Sequence, residues 1–131
     1  MKKSIILLFC LFSYLNQAQN FAGDWYGILK LPGTKLEVVF HITKNDSTWS
    51  ATMDSPMQNA FGIPLDQVTV NEDNISLSFA QMNFSYTGVL QKDETIVGQF
   101  RQGNLNLDLV MSRNYSKIII IFALLIKISI I

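Results

Sequence analysis

The sequence predicts an all-β fold, namely a small antiparallel up-and-down barrel of about eight strands. Between residues 19 and 113, short segments alternate apolar and polar side chains, as half-buried strands do. Clusters of Gly, Pro, Asn and Asp interrupt these segments about every eight to twelve residues, a spacing typical of all-β domains. Eight strands are enough to close a barrel, and closure removes the unpaired edges of an open sheet. A β-sandwich is the alternative architecture.

The second predicted strand shows the alternation most clearly. In residues 35–43 the even positions are apolar and face the predicted core, whereas the odd positions are mostly polar and include His41. Three glycines lie inside predicted strands, where glycine marks a bend or a close approach, and we expect the strands to curve there: Gly27, Gly88 and Gly98. The longest predicted loop is 55–64, and the predicted strands are 24–31, 35–43, 48–54, 65–70, 75–79, 84–90, 95–101 and 105–111.

Large aromatic side chains belong to the inward-facing set. They are enough to fill a small barrel or to leave a modest apolar cavity. If a cavity is present, four phenylalanines are the candidates for lining it and for contacting a small apolar ligand: Phe40, Phe79, Phe84 and Phe100.

Charge, length and cysteine content exclude several functions. A chain of 131 residues allows one domain. All ten Asp and Glu side chains lie between residues 19 and 111, with half of the ten Lys and Arg. This acidic segment has the wrong sign for neutralising phosphates, which excludes nucleic acid as an expected partner. One cysteine and one histidine do not make a disulfide framework or a His-rich metal site, and we expect no cofactor and no metal.

The sequence also argues against catalysis by this chain alone. It contains no G-x-S-x-G motif, which presents the nucleophile of an α/β-hydrolase. His41 is the only histidine, and a triad would need it as its base. Its position on the polar side of its strand predicts a solvated surface histidine, with a ligand contact or a catalytic base as the alternatives.

The start of the chain has the pattern of a secretory signal peptide over residues 1–18. Two lysines precede the apolar run Ile5–Phe12, and Ala18 offers a small residue for cleavage. The run is shorter than the ~20 apolar residues of a spanning helix. A lipoprotein attached at Cys10 is the alternative, although the bulky residues before this cysteine do not fit a lipobox. We therefore expect export, to the periplasm or to the medium.

Two residues at the ends of the predicted barrel resemble a known pattern. Gly23 and Trp25 form a G-x-W on the first strand, and Arg113 follows the last strand. This arrangement resembles the calycin or lipocalin superfamily, in which the indole packs at the barrel floor under the arginine. The resemblance implies structural roles for Trp25 and Arg113. A guanidinium stacked on an indole face gains cation–π energy, which makes the pairing physically sensible.

A second resemblance covers residues 1 to about 113. It is carried by the signal peptide and by the segments Phe21–Leu29, Leu36–Lys44, Ala51–Pro56, Gly62–Pro64 and Gly98–Phe100. Together these resemble the amino-terminal accessory domain of secreted α/β-hydrolases from Bacteroidetes-type bacteria. The resemblance implies a noncatalytic module whose partner is a hydrolase domain. We expect this chain to carry the module without the catalytic domain.

Residues 114–131 form an apolar tail rich in isoleucine, in which we find no period, turn or cap. We interpret the tail as out-of-frame translation after a frameshift; the alternative is a short tail that associates weakly with a membrane.

Three hypotheses remain for the chain: an accessory module of a hydrolase, a stand-alone lipocalin-like carrier of a small apolar ligand, and a fragment without function. An accessory module should expose apolar side chains near the 55–64 segment, whereas a carrier should enclose a cavity.

Overall fold

The computed structural model describes residues 21–130, which form one curled antiparallel sheet with a helix on its outer side. The predicted signal peptide and Cys10 lie outside the described residues. The strands are β1 (Gly23–Leu31), β2 (Thr34–Asn45), β3 (Thr48–Ser55), β4 (Ala60–Pro64), β5 (Gln67–Asn71), β6 (Asn74–Phe79), β7 (Phe84–Leu90), β8 (Thr95–Gln102) and β9 (Leu105–Ser112), and the helix is α1 (Tyr115–Ile130).

The strand order is that of an up-and-down barrel. Neighbours in the sheet follow the order β4-β3-β2-β1-β9-β8-β7-β6-β5, so the first strand pairs with the last. The described part of the chain therefore forms a single sheet that is open only between β4 and β5, and not the two packed sheets of a sandwich. The prediction of an all-β, barrel-like fold is confirmed.

The curl of the sheet is visible in the contacts of its aromatic side chains. Phe40 on β2 and Phe84 on β7 stack with ring centroids 6.0 Å apart, although three strands lie between β2 and β7 in the sheet. Two side chains this far apart in strand order can meet only if the sheet bends around them. The inward positions of the strands thus share one hydrophobic core.

The predicted loop 55–64 contains a further strand, so the sheet has nine strands where about eight were predicted. A 3-10 turn at Pro56–Gln58 and the left-handed Asn59 (φ 54°) reverse the chain after β3. The chain then pairs with β3 again as β4. All five β4 residues are exposed or half-buried, and β4 therefore lacks the buried-exposed alternation by which other strands were predicted.

The two edges of the sheet are joined by a dipeptide. The backbone N–H of Leu65 donates to the carbonyl of Ala51 on β3 (3.0 Å), and the next N–H, of Asp66, donates to the carbonyl of Ser78 on β6 (2.9 Å). Consecutive residues therefore bond to opposite sides of the opening. We call this dipeptide the seam.

Close packing explains two of the glycines inside strands. Gly88 and Gly98 face each other across β7 and β8. A Cβ atom at either position would lie within 2.8 Å of the Tyr86 hydroxyl oxygen. The absence of side chains there leaves room for Tyr86, which is fully buried and donates its hydroxyl hydrogen to the Leu109 carbonyl (3.0 Å). Burial raises the pKa of this hydroxyl well above its ordinary value.

The apolar tail forms a capped helix, so the expectation that it lacks a cap is wrong. The side-chain oxygen of Asn114 accepts a hydrogen bond from the backbone N–H of Lys117 (3.2 Å), as an N-cap residue does. The helix packs on the outside of β1 and β9, where Ile118 and Ile28 are buried. Within residues 21–130, no helix has the length and apolarity needed to cross a membrane.

Candidate functional site

The interior of the sheet is the first candidate site, because four phenylalanines were predicted to line it. The structure brings three of them together: the Phe84 ring lies 5.0 Å from that of Phe100 and 6.0 Å from that of Phe40. All three are buried, and Phe79 is half-buried and packs against the hydrophobic core to which they belong. Tyr86 stacks on Phe40 as well, at 6.0 Å. These rings contact one another within the hydrophobic core, at the place where a carrier would hold its ligand.

Three cavities of the described chain lie near the helix. Their volumes are about 240, 320 and 360 Å³, and all three border α1; the second contacts only its first residue, Tyr115. None of the four phenylalanines lines any of these three cavities. The candidate ligand contacts are therefore part of the core, and the concave surfaces near α1 are outside the sheet.

Trp25 and Arg113 are brought together at one end of the sheet. The Arg113 Cζ lies 4.3 Å from the centroid of the Trp25 ring, and the guanidinium also donates to the carbonyl of Ala22 (3.1 Å). The indole N–H donates to the carbonyl of Phe21 (2.8 Å), and Trp25 has no exposed surface. The pair thus ties the start of β1 to the residue that follows β9. The guanidinium stacks on the face of the indole.

The outer face of β1, β2 and β3 carries a second polar arrangement, which we call the His41 bridge. It consists of Asp24, His41 and Asp54. The Nδ1 atom of His41 lies 2.6 Å from an Asp24 carboxylate oxygen, and Nε2 lies 2.7 Å from an Asp54 carboxylate oxygen. The bridge therefore joins three neighbouring strands through one imidazole ring. His41 lies on the outer face, as the sequence predicts, and its side chain is 37% exposed, but both of its ring nitrogens face carboxylates.

Electrostatics favour the charged form of the bridge. The hydrogen bonds to Asp54 and then to Asp24 raise the pKa of His41 above its ordinary value of 6.5, and partial burial opposes this only in part. Desolvation acts to raise the pKa of Asp54, but the backbone N–H of Gly62 (2.7 Å) and the imidazole together hold it below its ordinary value. A protonated imidazole donates to both carboxylates at once, which a neutral ring cannot do.

The geometry of the bridge suits a structural role more than a catalytic one. A general base needs a free ring nitrogen facing the hydroxyl that it deprotonates, and both nitrogens of His41 face carboxylates. In the part of the chain that the structure describes, no group of three or more His, Cys, Asp or Glu side chains is arranged to hold a metal ion. The bridge instead holds β1, β2 and β3 together and, through Asp54 and Gly62, fixes β4.

An apolar surface lies beside the bridge. Met57 in the 3-10 turn is 58% exposed, and Phe61 on β4 is 61% exposed. Next to them, Pro56 lines the 320 Å³ cavity together with Tyr26 and Val39 on the outer face of β1 and β2. We call Met57, Phe61 and this cavity the β4 surface.

Comparison of the chain with protein-family models, with curated proteins and with solved structures gives no match.

Proposed function

We propose that the β domain is a noncatalytic accessory module that docks, after export, on a partner domain of the α/β-hydrolase type. The observation that carries this proposal is the filled interior. Phe40, Phe84 and Phe100 occupy the position where a carrier would hold its ligand, and they contact each other. An interior packed in this way leaves the outer surface as the place where the domain binds.

The β4 surface supports docking on a partner. Large apolar side chains that are more than half exposed are costly to leave in water, and clusters of them mark interaction sites. Met57 and Phe61 are such residues, and both lie on the segment that reverses the chain next to β3. Asp54 on β3 accepts a hydrogen bond from the N–H of Gly62, which ties this segment to the sheet. Met57 and Phe61 are therefore presented from an anchored segment.

The proposal is tested by measuring binding of the chain to the catalytic domain of a secreted α/β-hydrolase of the type described above, from which its own amino-terminal domain has been removed. We expect the double variant Met57→Ser/Phe61→Ser to weaken binding by about tenfold or more, since buried apolar anchors dominate interface energies. A matched control, Val89→Ser/Val97→Ser, removes exposed apolar side chains from the outer face of β7 and β8 and should bind as the unmodified chain does.

Two results would contradict the proposal. One is the absence of measurable binding to the hydrolase domain, and the other is equal weakening by the two double variants. A displacement assay with a fluorescent fatty acid checks the carrier hypothesis in parallel. Saturable binding at micromolar concentration would favour a carrier and would overturn the accessory role.

A further inference from the structure

The helix α1 exposes an apolar stripe along its outer side. Ile120, Leu124 and Ile128 follow each other at intervals of four residues and are therefore neighbours on one side of the helix. They are 60%, 55% and 70% exposed. Three large aliphatic side chains in a row are an unusual surface for contact with water.

The opposite side of α1 is fixed to the sheet. Ile118 is buried against it, and Phe122 is half-buried beside the outer face of β1 and β9. The helix thus lies along the sheet surface and points the stripe away from the domain. A helix that is apolar on both sides is expected to be covered on both, and within the described chain only the inner side is covered.

The charges near the stripe are mainly positive. The helix contains Lys117 and Lys127 and no acidic residue. Lys117 donates to the carbonyl of Asp93 (2.9 Å) and lies 4.0 Å from its carboxylate, so Lys127 is the helix lysine that concerns the stripe. Beside its carboxyl-terminal half, Lys30 and Lys35 of the β1–β2 hairpin line the 360 Å³ cavity with residues of α1. Asp108 is the single carboxylate among the residues that line this cavity and the neighbouring one of 240 Å³. An anionic surface complements this pattern.

We propose that α1 binds flat on an anionic phospholipid surface. The stripe would enter the boundary between headgroups and acyl chains, and Lys127 and Lys35 would contact the phosphates. A helix of 16 residues is about 24 Å long, which is less than the ~30 Å hydrocarbon core, and therefore suits the interface more than a crossing. Lys127 lies on the outer side near the end of the helix, where its long stem can reach back to the headgroups.

The charge pattern favours lipid over a second copy of the chain. Pairing two α1 helices through their stripes would bring together helices that carry lysines and no carboxylate. Anionic headgroups supply the missing negative charge, and each lysine near such a surface adds about 1 kcal/mol of attraction. The stripe shares no residue with the β4 surface, so the lipid proposal does not depend on the proposed docking to a hydrolase.

The test is co-sedimentation of the full-length chain with vesicles of phosphatidylcholine, with and without phosphatidylglycerol. We expect binding to the anionic vesicles that weakens at high salt. Leu124→Ser/Ile128→Ser should lower the partition coefficient by tenfold or more, and Lys127→Gln by about fivefold, the equivalent of one lysine contact. The Val89→Ser/Val97→Ser variant is the matched control and should bind normally. Circular dichroism verifies that each variant is folded.

Three outcomes would overturn the proposal: no binding to anionic vesicles, equal binding to neutral and anionic vesicles, and normal binding by the Leu124→Ser/Ile128→Ser variant. Sedimentation velocity without lipid provides a further check. A dimer that this double variant dissociates would show that a second copy covers the stripe, and would also overturn the proposal.

Discussion

Replacing Phe84 by alanine is the most direct test of the filled interior. The ring is buried and packs between Phe40 and Phe100, at centroid distances of 6.0 and 5.0 Å. If the interior is packed as described, the substitution removes a central part of the core and leaves an empty space. If the interior instead holds a ligand cavity, the loss of the ring should cost much less.

The expected cost follows from the contacts of the ring. Burial of a phenylalanine side chain contributes about 1.5–3 kcal/mol, and each aromatic pair adds about 0.5–1.5 kcal/mol. Together with the cost of the cavity left behind, these contributions agree with the ~3–5 kcal/mol by which Phe-to-Ala substitutions lower the free energy of unfolding in protein cores. Since small domains unfold with about 5–15 kcal/mol, Phe84→Ala should fold but be far less stable.

Urea unfolding measures the free energy of unfolding of the variant and of two controls. Phe61→Ala removes an exposed ring and should change the free energy of unfolding by less than about 0.5 kcal/mol. Phe84→Leu keeps most of the apolar volume and should cost less than Phe84→Ala; it replaces that variant if alanine prevents folding. A cost of Phe84→Ala below about 1 kcal/mol would refute the packed interior and, with it, the main support for the accessory role.

Two further predictions concern the polar contacts of the outer face and of the barrel end. Because hydrogen bonds to Asp54 and Asp24 raise the pKa of His41, the charged bridge stabilises the fold fully below pH 6.5 and loses its contribution as the pH rises through the raised pKa. Urea unfolding across this range should show a fall in stability that His41→Gln lacks, and parallel pH profiles would contradict this. Arg113→Ala should lower the free energy of unfolding by about 1 kcal/mol, through loss of the contact with Trp25 and of one hydrogen bond. Thermal unfolding of this variant and of Arg113→Lys checks the estimate, and an unchanged midpoint for both would contradict it.

The sheet could be predicted from the sequence because most strands bury one face. In β2, the alternation from Leu36 to Ile42 separates core from solvent without any knowledge of the neighbouring strands. β4 was missed because it is held by backbone hydrogen bonds and buries little. For α1, apolar residues on all sides give no amphipathic period, so the sequence did not predict a helix packed on the sheet. Asn114 before the apolar run was the available signal, because asparagine is a preferred N-cap residue.

The candidate site was harder to predict than the fold. The His41 bridge depends on the register of three strands, which places Asp24 opposite His41 and Asp54 diagonally across from it. Alternation along one strand carries no information about register. In the same way, Phe40 and Phe84 meet only because the whole sheet curls, so a sequence can predict that both face inward but not that they fill the space between them.

The seam has a consequence for how the protein avoids unwanted association. Exposed strand edges offer free amide and carbonyl groups to strands of other molecules, which is a common route to aggregation. Here the two edges are consecutive in the chain, and Leu65 and Asp66 bond to opposite sides of the opening. A foreign strand that adds at this point of the opening would have to displace Leu65 or Asp66 from its hydrogen bond. The seam therefore protects this part of the opening from edge-to-edge association.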